Sequence, residues 1–244
     1  MITPPHPLSL QPVLAVDELI ANTPVIASTA VVVGYNWTLV QTAFGSGLVM
    51  TSEKGKLGAQ TTPQTGTYGG RSLAELAMLA RSENPYERAI GCAAINAGLN
   101  THDRVGPEND GLEVPRGEIG RVVVIGRFPK LTEKLPNAVV LEQNPGPDDL
   151  AVDAAPDVIP GAAYLIITAS AWSNGSLAGL LDLVDNAHIT LVGPGTPLSP
   201  ILQNHGVHRL AGFIATAPEK LHQTIAEGAG MRGFRRLGHN LVMD

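Results

Sequence analysis

The chain has 244 residues, 44% hydrophobic and 16% charged, which is enough apolar material for a sizeable core in one large domain or two small ones and excludes a disordered chain. A formal net charge of −6, a pI near 5.6 and the lack of a dense lysine–arginine run argue against nucleic acid as a partner. One cysteine, Cys92, excludes an internal disulfide; no apolar run reaches the about 18 residues needed to cross a bilayer, and the opening MITPPHPLSLQP lacks the pattern of a secretory signal, so a cytoplasmic protein is expected.

In chain order, the first pattern runs from about residue 24 to 60, where β-branched segments alternate with glycine and polar turns. Val31, Val32, Val33, Trp37, Leu39 and Val40 predict a short antiparallel meander. The Thr-, Gly- and Pro-rich TTPQTGTYGGR predicts a loop. Ser72, with Glu75 three residues on, has the form of a capping box, and Leu73, Leu76, Ala77 and Ala80 make one helical face behind it. Asn84 and Pro85 break that pattern. A second helix from near Pro85 carries Ala89, Ile90, Ala93, Ala94 and Ala97, small residues suited to close packing, with Cys92 in the core. The polar THDRVGPENDGLEVPRGEIG reads as a linker, which divides the chain into an α+β domain over residues 1–108 and a second domain over 109–244.

From Arg121 the pattern changes to strands alternating with helices. The strands are RVVVIG (121–126), AVVLE (138–142), YLIITAS (164–170), HITLVG (188–193) and HRLAGFIA (208–215). Helices are expected near 129–135, weakly over 148–159, and over 176–186, 197–206 and 218–230; the short basic MRGFRRLGH reads as a solvated tail. Apolar strands without alternation imply a sheet covered on both faces, and alternation with helices implies parallel strands. The fold class is therefore α/β: a Rossmann-like parallel sheet preceded by a smaller α+β domain.

Ligands of open parallel sheets bind beyond the C-terminal ends of the strands, so the residues at those mouths are the candidates. The first mouth offers Gly126, Arg127 and Phe128: a tight turn and a guanidinium fork for a carboxylate or phosphate. The second offers Glu142, Asn144, Asp148 and Asp149. Glu142 stands where dinucleotide folds hold ribose hydroxyls, and it equally suits a metal or a plain solvated strand end. The third offers Thr168, Ser170, Asn174 and Ser176, of which Asn174 or Ser176 suits a helix cap. The fourth offers Gly193, Gly195 and Thr196, with Thr196–Pro197 in the form of an N-cap followed by proline. GRFPK lacks G-x-G-x-x-G, which argues against ordinary NAD chemistry. His102–Asp103 and His205–His208 have poor spacing for a metal site.

Six stretches in this order, GCAAINA, VVVIGRFP, LEQNPGPDD, IITASAWSNGSLAGLLD, VGPGTPLSP and GVHRLAGF, resemble a bacterial and archaeal family known as putative heavy-metal chelation proteins. The resemblance covers about residues 14–230. It implies an enolase-N-terminal-like domain followed by a Rossmann-like one, with a cleft between them. It places Asn96, Gly126, Arg127, Phe128, Glu142, Asn174, Ser176, Gly193, Pro194 and Thr196 at that cleft; Trp172 departs from the smaller aliphatic residue expected at its position. Two functions follow as expectations. One is binding of a metal ion, or a metal bound to a small anionic ligand, with Glu142 as the metal ligand. The other is an enzyme acting on a small anionic metabolite in the same cleft. Neither fixes the metal, and a homodimer is compatible with both.

Overall fold

The computed structural model describes residues 11–51, 62–115 and 120–244, with side chains from residue 15 onward. A helix not expected from the sequence, α1 (Gln11–Ala21), comes first. The meander then forms as β1 (Ala30–Val33), β2 (Trp37–Gln41) and β3 (Ser46–Met50), antiparallel throughout, with Val32 opposite Leu39 and Leu39 opposite Leu48. The expected meander continues to about residue 60, and its part over 52–61 lies outside the described residues.

Ser72 caps α2 (Leu73–Ala77) through the expected capping box, and a short 3-10 turn carries the chain to Arg81. Asn84 accepts from the Tyr86 and Glu87 amides and starts α3 (Pro85–Leu99) with proline at its first turn. The small residues of α3 have a physical reason. Helix and strand approach so closely at Gly47 that a Cβ there would lie 1.9 Å from the Ala93 carbonyl oxygen.

The second half supplies β4 (Val122–Ile125), α4 (Leu131–Lys134), β5 (Val139–Glu142), β6 (Leu150–Ala151), α5 (Ala155–Val158) and β7 (Tyr164–Thr168). It continues with α6 (Ser170–Asn174), α7 (Leu177–Leu181), β8 (His188–Val192), α8 (Pro200–Asn204), β9 (Arg209–Ala215), α9 (Pro218–Ala226), α10 (Met231–Phe234) and β10 (Gly238–Met243). These strands make a seven-stranded sheet in the order β10-β9-β8-β7-β4-β5-β6, parallel except for β10, which runs antiparallel to β9. In chain order that is 3-2-1-4-5-6, the doubly wound Rossmann order, with one strand appended. The order reverses between β4 and β7, and a crevice opens at such a reversal.

Several expectations are corrected. The third strand stops at Thr168, and Ser170 already begins α6. The weak helix over 148–159 resolves into β6, a 3-10 turn and one turn of α5. Ser199, not Thr196, caps α8, with Pro200 rather than Pro197 at its start. MRGFRRLGH is not a tail: it forms α10 and enters β10. The expected linker is partly built in, because the Val242 amide donates to the Pro107 carbonyl, Glu108 bridges Leu241, and Leu112 is 4% exposed. Residues 116–119 of it lie outside the described residues.

The two sheets do not form separate cores. Along β2, alternate side chains face opposite ways. Val40 joins a cluster with Ala93, Ala97 and Leu165, whereas Trp37 and Leu39 join Phe213, Leu221, Ile225 and Phe234. The small sheet is thus held between α3 and the C-terminal helices. No helix among the described residues is long and apolar enough to cross a membrane.

Candidate functional site

At the reversal, Gly126 leaves β4 at φ 91°, and a Cβ there would lie 2.9 Å from Thr168 Cγ2 of β7. Only glycine fits both that backbone conformation and that approach. The chain then runs through Arg127, Phe128 and Pro129 to Lys130, which has φ 60° and is the sole non-glycine residue with positive φ among the described residues. Across from it, Thr168 Oγ1 accepts from the Ser170 amide at 3.4 Å, and the Ser170 hydroxyl points to Met50 Sδ at 3.8 Å.

The mouth of β8 is the turn Gly193–Pro194–Gly195. Two asparagines of α3 and its C-terminus hold it from the other side. Asn96 Nδ2 donates to the carbonyls of Leu48 (3.1 Å) and Gly195 (2.8 Å). Asn100 Nδ2 donates to the Thr196 carbonyl (3.0 Å), and its Oδ1 accepts from the Leu198 amide (3.1 Å).

These mouths open into a cavity of about 420 Å³, a volume suited to a small organic molecule. Val192, Ala211 and Leu112 supply an apolar floor, and Trp37 and Met50 of the small sheet form a wall. Its charged lining is lopsided: Arg127, Lys130, Lys134, Arg232 and Arg235 face one carboxylate, Asp110. Lys134 is paired with Asp110. Arg127 is paired with Asp149, whose hydrogen bond and charge push the guanidinium still further up, with Asp148 and Glu142 adding to the effect. Arg232 and Arg235 are exposed, and their guanidinium groups have no ion-pair or hydrogen-bond partner among the described residues.

Of the residues nominated from the sequence, Arg127, Phe128, Thr168, Ser170, Gly193, Pro194 and Gly195 line this cavity together. Gly126 shapes its edge. The others lie elsewhere. Asn96 and Thr196 are fully buried behind the β8 turn, and Asn96 Oδ1 and Thr196 Oγ1 have no hydrogen-bond partner among the described residues. Glu142 ends β5, on the side of β4 away from β7, and its Oε1 accepts from its neighbour's amide, Gln143 N, at 2.9 Å. Asn144 is exposed beyond it. Asn174 is carried to the far end of α6, where its Oδ1 accepts from the Ser176 amide; Ser176 caps α7 with no side-chain bond. The expected common rim of Arg127, Glu142, Asn174 and Thr196 is therefore reduced to Arg127.

Residues not nominated complete the lining: Trp37, Met50, Asp110, Leu112, Lys130, Lys134, Met231, Arg232, Arg235 and Asn240. One local signal was available. Arg232 and Arg235 are three apart, a spacing that puts both on one side of a helical turn.

The donor set does not fit a cation held by side chains alone. Among the described residues no three His, Cys, Asp or Glu side chains come together as a metal-binding group. The cavity's own carboxylate is already engaged by a lysine.

Comparison with known proteins adds the lineage. Residues 110–243 match the family DUF364, and residues 16–99 match DUF4213; both carry the description putative heavy-metal chelation. A crystal structure from Desulfitobacterium hafniense DCB-2 is 28% identical, with a TM-score of 0.83 over 96% of this chain and 98% of that one. One from Pyrococcus horikoshii is 26% identical, with a TM-score of 0.78 over 97% and 98%. Both are of proteins of unknown function from the DUF364 family. No curated protein matches the chain. With more than half its length matched by one family and its whole fold shared with these relatives, the chain belongs to the DUF364 family.

Proposed function

We propose that this protein binds a small organic anion, free or as a metal complex, in the cleft between a unit over residues 1–108 and a unit over 109–244. One observation carries the reading: a chain of net charge −6 concentrates five cations against one carboxylate in a cavity at the sheet's reversal point. Charge of one sign in a cleft with low-dielectric walls attracts the opposite charge from solution. Arginine forks and lysine ammonium groups match carboxylate and phosphate oxygens. They repel a bare cation. The family's description is reconciled if the metal arrives already wrapped in an anionic ligand, since that ligand is what the cavity would hold.

The test is a melting-temperature titration with citrate, with ferric citrate, and with zinc or nickel ions alone. Ligand at a hundredfold excess over its Kd stabilises by about 2.7 kcal/mol, a rise of roughly 5–10 °C for a chain of this size. That rise is expected with the anions and not with the bare ions, and it should vanish in an Arg232→Ala/Arg235→Ala double variant. A shift produced by bare ions and by no anion would overturn the reading.

A further inference from the structure

Resting on that reading, we infer that the ligand is an elongated organic molecule with an acidic group at each end, one held by Lys130 beside β4 and the other by Arg232 and Arg235 beside β9. The cations of the cavity come from two separate elements. Helix α4 is anchored on β4, with Leu131 and Leu135 packed beside Val122 and Val124. Helix α10 is anchored through Phe234, whose ring packs edge-on against Trp37 of β2 (5.3 Å between centroids) and Phe213 of β9 (5.6 Å). In the sheet β9 lies three strands from β4. At the usual spacing between hydrogen-bonded strands, that separates the two anchor points by about 14 Å. Between them the floor is apolar: Val192, Ala211 and Leu112. A compact monoanion would satisfy one end and leave the other in water.

The backbone of Lys130 is an independent observation at one end. Its φ of 60° and ψ of 22° put it in the left-handed region, where a lysine is sterically disfavoured and glycine is the ordinary occupant. Backbone strain of this kind persists where the surrounding structure enforces it, and it gathers at binding sites. What a lysine has there and a glycine lacks is an ammonium group facing the cavity. Its one acidic neighbour, Glu133, is 4.0 Å away and largely exposed, so the ammonium is not committed to it. The guanidinium groups of the two arginines at the other end are likewise without partners among the described residues.

The experiment measures binding by calorimetry at fixed ionic strength with octyl phosphate and with octane-1,8-diyl bisphosphate, whose extended length is comparable to the separation of the two anchor points. The bisphosphate is expected to bind about tenfold tighter than octyl phosphate, the difference carried by the second anchor. Arg232→Ala/Arg235→Ala should bring it down to the octyl phosphate value. Lys130→Gly supplies the readout that a structural role would not move: the melting temperature should rise as the strain is released, while bisphosphate affinity falls by about tenfold. A rise in melting temperature with unchanged affinity would remove Lys130 from the site and overturn the proposal. Equal affinity for the two probes would overturn the two-ended ligand and leave the organic-anion reading standing. Failure of both probes to bind would take both down.

Discussion

Arg127 and Asp149 meet with both guanidinium donors on a single carboxylate oxygen: Nη2 lies 2.5 Å and Nε 3.2 Å from Oδ2. The Asp149 side chain is 2% exposed and that of Arg127 is 54% exposed. The carboxylate is therefore committed to the fold, whereas the guanidinium keeps an open face toward the cavity. This arrangement sets the loop between β5 and β6, since the Gly146 amide donates to the same oxygen at 2.9 Å.

The pair makes a prediction about acid stability. The Arg127 hydrogen bond first, and the Gly146 amide second, hold the Asp149 carboxyl below the ordinary carboxylate range. A depressed carboxyl adds stability that is fully present above the unfolded aspartate pKa, about 3.9, and is lost as pH falls through the folded value. The melting temperature of the wild type should thus decline steeply below about pH 4. Asp149→Asn and Arg127→Ala should both flatten that decline, and Arg127→Ala should also cost stability at neutral pH by stranding a nearly buried charge. An acid limb in Asp149→Asn identical to the wild type would show that the pair contributes nothing.

Asn100 is fully buried and serves two backbone groups of the turn after β8, the Thr196 carbonyl and the Leu198 amide. In Asn100→Ala both are left buried without a partner, at about 1–3 kcal/mol each. The expected loss is thus roughly 2–6 kcal/mol, read as a lowered urea midpoint. Asn22→Ala, which removes an exposed side-chain bond to the Glu18 carbonyl, is the control and should change little. Should the two variants unfold together, Asn100 is not what holds the turn after β8 to the end of α3.

These side chains also show what could be read without coordinates. The strands β4, β7 and β8 were legible because unbroken apolar runs such as VVVI and YLIIT report burial on both faces. The cap at Ser72 and the helix start near Pro85 were legible because they are local chemistry. GTPLSP was ambiguous for the same reason: it holds two hydroxyl–proline pairs, and either starts a helix by local rules. Ser199 prevails where Asn96 and Asn100 grip the preceding turn, an interaction across about a hundred residues. Glu142 was nominated on the assumption that every strand mouth converges. Strand order decides that, and β5 lies on the outer side of β4. The C-terminal cations were hidden because GHNLVM has no clean alternation and MRGFRR looks like a solvated run until β10 pairs with β9.

Cys92 gives a probe of opening in the same region. It is 2% exposed on α3, and burial pushes its thiol up to about 12. The thiolate is the reactive form, and relative to a free cysteine near 8.5 its population at neutral pH falls by about a thousandfold or more. The native protein should therefore resist a disulfide-exchange reagent such as Ellman's at pH 8, and one equivalent of thiol should react in denaturant. Fast stoichiometric labelling without denaturant would mean that α3 lifts from the small sheet on its own.

Glu142 separates the two accounts of the family most sharply. Its carboxylate lies outside the cavity lining, accepts from the adjacent Gln143 amide, and contributes to the acidic surroundings of Arg127. If the cleft holds an organic anion, Glu142→Ala removes a nearby negative charge and should leave affinity for octane-1,8-diyl bisphosphate unchanged or slightly improved, because charges at a rim act weakly through solvent. Arg235→Ala, which removes one of the two cations at that end of the lining, should weaken the same probe by about threefold. If instead the protein chelates metal through Glu142, the order reverses: Glu142→Ala abolishes metal uptake, measured by elemental analysis of untagged protein, and Arg235→Ala leaves it intact. The two substitutions cannot both be silent in both assays under either account, so a paired measurement decides between a cationic cleft that takes an anion and a carboxylate that takes a cation.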